Sequence, residues 1–422
     1  MNMAKKVSKE IIIEKCLSFS IFAIFLFLPW YHNYSGKIQP VDLPILFTLF
    51  LFIINKRFFN FHYLTISRNY CICFALIGYT IMRYGFAYFH NNLVLHDLLA
   101  NFYYLILLTL FIDILLYLYQ TCSLQLFYET IISCLLIAPI LPLGILIVFG
   151  PNYGLAKLQL VEPTIVRPIL TFNNANQLGF FALINLSIFF YLNLFVQNTD
   201  VKINKVFSLI IINVNLLLLI LSVSRAATPA FLLYLLSYGF IFKFNLTKKN
   251  RLTWLIIISC LAFLGVIYIQ HHLLLLKTNN TTAINQSFIY DFYDRAIKGI
   301  NYNFNNIYLF LFGCASQTNP LRPDGLEFHN NFLGIFNEIG LIGLSIYSAL
   351  ILSLFFELWK KGFYYLFPFI CYLLYSEMHY AFRTRINWLF FGMLIFIMAY
   401  KEATNQRSIQ HDQSIGNTKL YN

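Results

Sequence analysis

Residues 97–119 read DLLANFYYLILLTLFIDILLYLY. Only Asp97 and Asp113 carry charge in this run. A helix needs about 20 mostly apolar residues to cross a bilayer, so the stretch is long enough to span. The rest of the chain is of the same kind. Of 422 residues, 59% are hydrophobic and 11% are charged, with 46 Phe and 29 Tyr. Soluble domains average about 45–50% apolar and roughly 25% charged residues, so this chain has too little charge to cover its apolar surface in water. A soluble enzyme, a secreted disulfide scaffold and a disordered tail protein are excluded. The expected fold is all-α: a polytopic integral membrane protein with about twelve transmembrane helices and one larger outer loop region.

The expected spans centre near 16–32, 42–55, 70–88, 97–119, 125–149, 179–197, 206–223, 227–244, 252–270, 330–357, 363–381 and 386–400. The run from Leu17 to Trp30 has no small-residue cleavage site after it, so it reads as the first span rather than a signal peptide. Residues 1–422 form one transmembrane domain, with loops at 151–178 and 271–328 and a polar tail at 401–422. Asn-rich stretches and the turn residues of Pro320-Leu-Arg-Pro323-Asp-Gly325 mark the second loop as irregular chain with short helices.

The net charge of +12 is spread as short clusters between apolar runs, a membrane pattern rather than a nucleic-acid one. With the amino terminus in the cytoplasm, most of the 29 Lys and Arg fall on that side, among them Lys5, Lys56, Arg68, Lys202, Lys249, Lys360 and Lys401. Both termini are then cytoplasmic, and both loops lie on the outer side of the membrane.

The basic residues that break this rule are the informative ones. Arg83 lies inside the third span, and Arg167 precedes the sixth. Arg225 lies between the seventh and eighth, and Arg383 and Arg385 form the hairpin between the last two. A charge at membrane depth costs at least ~2.5–3.5 kcal/mol, so each arginine needs a partner or a cavity. Snorkelling to the headgroups is one answer. The nearest acids in sequence are few, Glu162 and Glu377, so an external anion such as a phosphate is another, and the planar guanidinium suits it.

His329 stands where the second loop enters the tenth span. From position alone it reads first as an interfacial helix cap and second as a base near neutral pH. Glu338, nine residues on, is an intramembrane acid, read as functional or as part of a buried pair. Asn330 and Asn331 fit helix caps. Gly334, Gly340 and Gly343 fit close helix packing.

Other patterns are poor in chemistry. The eight cysteines lack any Cys-x-x-Cys, and most lie in apolar runs as small hydrophobes. His271 and His272 have no companion ligands, so no metal site is expected. Asp291, Asp294, Arg295 and Lys298 read as a solvated helix face. Neither a phosphate-binding loop nor a dinucleotide loop occurs, so no cofactor or ATP coupling is expected.

Three stretches together resemble one family. His329-Asn330, nine residues, then Gly340-x-x-Gly343 is similar to a signature of bacterial O-antigen ligases. Their superfamily also contains O-antigen and exopolysaccharide polymerases. RPILTFNNANQLGFF from Arg167 resembles the family's Arg followed by Asn-x-Asn-x-Leu-Gly ahead of a span, with Asn-Asn-Ala-Asn where Asn-Pro-Asn is common. SVSRAATPAFLL around Arg225 resembles its Ser-Arg-Gly/Ala segment. The three cover roughly 160–345, in the family's order.

The resemblance implies a GT-C type glycosyltransferase that uses neither metal nor nucleotide sugar. Its donor would be a glycan on undecaprenyl diphosphate at the periplasmic face. It implies that Arg167 and Arg225 hold the diphosphate and that His329 is the base. Arg383, Arg385, Glu338 and Asn330 are added from position alone. A ligase acting on lipid A–core is placed first and a polymerase second. The charges of 271–328 bear on this, because Lys277, Arg295, Lys298 and Arg322 are cancelled by Asp291, Asp294, Asp324 and Glu327, and a phosphate-rich acceptor would favour a basic loop. A transporter of lipid-linked sugars is third. It would need repeats and broken helices in matching halves, and neither is evident in the sequence.

Overall fold

The computed structural model describes residues 15–16, 18–29, 39–54, 68–91, 95–149, 157–162, 165–170, 172, 175–196, 199–222, 304, 306–315, 330–376, 381–382 and 384–400. Its helices are α1 (Ser18–Phe27), α2 (Asp42–Ile54), α3 (Arg68–Asn91), α4 (Leu95–Thr121) and α5 (Leu124–Phe149), followed by α6 (Ala175–Val196) and α7 (Lys205–Ser222). A short α8 (Ile307–Phe312) comes next, then α9 (Asn331–Lys361), α10 (Phe363–Ser376) and α11 (Arg385–Tyr400).

Among the described residues, five helices are long and apolar enough to cross a membrane: α3, α4, α5, α6 and α9. Five shorter apolar helices, α1, α2, α7, α10 and α11, fall at five more of the expected positions. The expected spans at 227–244 and 252–270, the tail at 401–422 and most of 271–328 lie outside the described residues.

The all-α expectation needs one amendment. In the 151–178 stretch, β1 (Lys157–Glu162) pairs antiparallel with β2 (Ile165–Leu170), with Gln159 opposite Arg167. KLQLVE alternates polar and apolar residues, and IVRPIL is rich in β-branched residues, which favours extended chain over helix.

Side-chain contacts sort the helix ends into two sets. At one end the start of α2 meets the starts of α4 and α11, through Asp42, Tyr103 and Arg385. There too the Tyr375 hydroxyl of α10 donates to the Asn176 carbonyl of α6. At the other end Asn69 of α3 donates to Glu357 of α9, and Lys361 donates to the Met398 carbonyl of α11 at 2.9 Å. Tyr119, at the end of α4, packs against Phe396 and Tyr400 of α11. Consecutive long helices therefore run up and down, as short connections require. Arg68, Lys202, Lys360 and Lys361 all belong to the second end, whereas Arg385 belongs to the first.

α6 runs through the middle, with 83% of its apolar stretch buried. Lipid tails give helices no hydrophobic reason to associate, so polar links between them matter. Asn185 of α6 donates to the Leu135 carbonyl of α5 at 2.9 Å and to Asn215 of α7 at 3.2 Å. Such links contribute about 0.6–2 kcal/mol each in a bilayer.

Candidate functional site

The end that carries Asp42 gathers the segments picked out by sequence. β2, with Arg167, packs against α6 and α7. α7 ends at Ser222, three residues short of Arg225. α9 begins beside His329, and α11 begins at Arg385. At this end a small cleft lies between the end of α1, the start of α6 and the start of α11, lined by Leu28, Phe172, Gln177, Thr384 and Ile386.

One side chain joins two of these segments. The Asn331 carboxamide oxygen accepts from the backbone N–H groups of Ala381 (2.7 Å) and Phe382 (3.1 Å). Asn331 is fully buried, so both bonds form away from water. The start of α9 is thereby held against the turn that precedes Arg383. Asn330 acts as the helix cap, its side chain accepting from Leu333 N–H at 3.0 Å. The sequence offered a capping role for both asparagines; Asn330 fills it and Asn331 braces the rim.

Arg385 is committed within the protein. Its Nε and Nη2 meet Oδ1 and Oδ2 of Asp42, both at 3.1 Å, and its guanidinium lies 5.3 Å from the centre of the Tyr103 ring. Asp42 also accepts from Tyr103 hydroxyl at 2.6 Å and Gln39 N–H at 2.7 Å. The pair is 15% and 11% exposed, so much of it is desolvated. A carboxylate with four donors fills the guanidinium fork, and a phosphate would have to displace it. Asp42 is 343 residues from Arg385. Local sequence around Arg385 therefore holds no trace of it; Asp42 stands out in the sequence only as an acid at the head of a span.

Arg83 has an internal partner of another kind. It is 6% exposed and donates to the Phe312 and Gly313 carbonyls, both at 2.7 Å, at the end of α8. Its guanidinium also lies 5.1 Å from the centre of the Tyr308 ring. A cation suits the carbonyl end of a helix, where partial negative charge collects.

α8 meets α9 at a break. Gly340 has φ 69° and ψ −168° inside α9, a conformation essentially confined to glycine. Gly313 mirrors it at φ 74°. A Cβ on either glycine would strike the other segment's backbone. Across the contact, Cys314 N–H donates to the Asn337 carbonyl and Ala315 N–H to the Glu338 carbonyl, both at 2.8 Å. These bonds satisfy carbonyls released by the break. The sequence offered close helix packing for Gly340; the structure uses it for main-chain packing at a helix interruption. Glu338 is 2% exposed and accepts from the buried Tyr84 hydroxyl at 3.2 Å.

Arg225, His329 and Arg383 lie outside the described residues, as do Glu377, His271, His272, Asp291, Asp294, Arg295 and Lys298; of Arg167 only the backbone position is described. Among the described residues, no group of three His, Cys, Asp or Glu stands close enough to hold a metal ion. No family model matches the chain, and no curated protein matches it.

Proposed function

We propose that the chain is a membrane-embedded glycosyltransferase. It would move an undecaprenyl-diphosphate-linked O-antigen or related polysaccharide onto a sugar hydroxyl at the periplasmic face, in the manner of an O-antigen ligase. The observation that supports this most is the Asn331 brace, which ties the start of α9 to the turn ahead of Arg383. Residues that flank two proposed functional groups are thereby held at one end of the bundle. The packing of β2 on α6 and α7 adds a third proposed segment at the same end.

In this reading His329 takes the proton of the acceptor hydroxyl as its oxygen attacks the anomeric carbon. The bond from that carbon to the diphosphate oxygen breaks, and the anomeric centre inverts. Arg167 and Arg225 stabilise the charge on the departing diphosphate, with Arg383 a third candidate. Arg385 acts on the site through Asp42, as a brace. Glu338 faces Tyr84, deeper in the bundle than Asn330. The basic residues at the other end then face the cytoplasm, and about twelve spans place both termini there. No metal or cofactor takes part in the proposed transfer.

The test is turnover. Purified protein given a lipid-diphosphate glycan and an acceptor should release free lipid diphosphate without ATP or divalent metal. A strict metal requirement, or movement of lipid without glycan transfer, rejects the enzyme. His329→Ala should abolish transfer and leave the protein folded; near-normal turnover removes His329 as the base. Arg225→Lys keeps the charge but loses the fork.

A polymerase is the second reading, favoured by the charge balance of 271–328. Gene knockout separates the two. Loss of all O-chains with polymer left on the carrier means ligase, and survival of single capped units means polymerase. The break in α9 would suit the third reading, a transporter. Its carbonyls, however, are closed by α8 rather than open to a solute, and no second break of this kind occurs among the described residues.

A further inference from the structure

We infer that α8 is a re-entrant membrane helix whose outward face contacts lipid acyl chains, so that 271–328 is not wholly an aqueous loop. Three independent observations carry this.

The first is depth. α8 joins α9 at Asn337 and Glu338, seven and eight residues beyond the helix cap Asn330. At 1.5 Å per residue the contact lies about 12 Å down the helix axis. The headgroup zone is about 5–8 Å thick on each side of a roughly 30 Å apolar layer. The two parts of α9 together have 31 residues, which laid end to end reach about 46 Å, enough to cross the whole bilayer with its headgroups. The α8 contact therefore falls inside the apolar layer. Arg83 gives the same depth independently, since it stands eight residues from Asn91, where α3 ends.

The second is main-chain accounting. Irregular chain survives at such depth only if its polar groups are satisfied within the protein. At the end of α8, Gly313 N–H donates to the Leu309 carbonyl, and Cys314 and Ala315 donate to α9. The Phe312 and Gly313 carbonyls are taken by Arg83. In a water-exposed loop solvent would serve these carbonyls, and a buried arginine would bring desolvation cost without need.

The third is the outward face. α8 reads IYLFLF. Ile307 is 71% exposed and Phe304, just ahead of the helix, 61%. The two helices that α8 touches carry exposed apolar side chains as well, Met82 and Phe86 of α3 and Leu341 of α9. Those helices are long and apolar enough to span, so their exposed apolar side chains meet lipid, and the apolar side chains of α8 suit the same solvent.

The test uses the full chain in phosphatidylethanolamine–phosphatidylglycerol vesicles, with accessible native cysteines replaced by alanine. A nitroxide on Ile307→Cys is compared with one on Leu352→Cys, which faces out from the middle of α9, and one on Asp200→Cys, in the α6–α7 connection. Dissolved oxygen concentrates in the apolar layer, and a nickel chelate stays in water. Ile307 should match Leu352, with oxygen relaxing it several-fold more than the chelate. Chelate access equal to that at Asp200 overturns the inference. So does protection from both reagents, which would mean that protein covers the face. If the cysteine-replaced background does not fold, Ile307→Lys in the native background should lower the folded yield several-fold while Asp200→Lys leaves it unchanged; equal yields overturn the inference. No readout involves glycan transfer, so the result is independent of the proposed activity.

Discussion

Replacing Gly340 by alanine should destabilise the protein far more than the same change at Gly78, and with the opposite sign. Gly340 sits at φ 69° and ψ −168°, and an added Cβ would meet the Leu311 carbonyl and Phe312 nitrogen. Holding a non-glycine residue in such a region costs about 1–3 kcal/mol. Relief requires α8 to move away, which gives up the two 2.8 Å bonds from Cys314 and Ala315. Each contributes about 1 kcal/mol net, and the carbonyls left behind are buried, which raises the loss. The total is about 3–5 kcal/mol. Gly78 lies in the middle of α3 with nothing within 4 Å of where a Cβ would stand, so alanine there should stabilise by about 0.5–1 kcal/mol. The two variants should therefore differ by about 3.5–6 kcal/mol, or roughly 300-fold to 20,000-fold in the unfolding equilibrium. Unfolding in mixed micelles with increasing dodecyl sulfate, followed by far-ultraviolet circular dichroism, measures the difference. If Gly340→Ala lies within about 1 kcal/mol of Gly78→Ala, the reciprocal glycine contact does not hold α8 on α9.

Three further outcomes follow from the polar contacts. A double-mutant cycle over Asp42→Ala and Arg385→Ala should return a coupling of about 1–3 kcal/mol, because both partners are mostly buried, and a coupling near zero would mean the pair is solvated. Arg83→Lys should cost about 1–3 kcal/mol, since one ammonium cannot reproduce the fork across two carbonyls, and an unchanged unfolding midpoint would remove the role given to Arg83. Asn331→Leu leaves two buried N–H groups without their acceptor and should cost about 2–4 kcal/mol; amide exchange at Ala381 and Phe382 that stays as slow as in the native chain would show that the brace is not needed.

The helices were legible because apolar length is written locally. Ten of the twelve expected positions carry apolar helices, five of them long enough to span. The ribbon at Lys157–Leu170 was missed because six-residue alternation is a faint signal beside runs of twenty. The partner of Arg385 was hidden for a different reason. Sequence proximity says nothing about an acid 343 residues away, and only the fold, which sets the start of α2 beside the start of α11, brings Asp42 to it. Glu338 was recognisable as a buried acid, but its Tyr84 neighbour follows from the antiparallel register of α3 and α9. The Gly340 break was unreadable, since glycine within an apolar run fits an unbroken helix equally well.

The Asp42–Arg385 pair also constrains how the protein is made. Asp42 leaves the ribosome 343 residues before its counter-ion. At about 5–20 residues per second that interval is roughly 17–70 s. For all that time a nascent chain that already includes α2 carries a carboxylate whose guanidinium does not yet exist. Final latching of this rim therefore waits for α11 to be synthesised, and a ribosome stalled before codon 385 would leave Asp42 without its counter-ion.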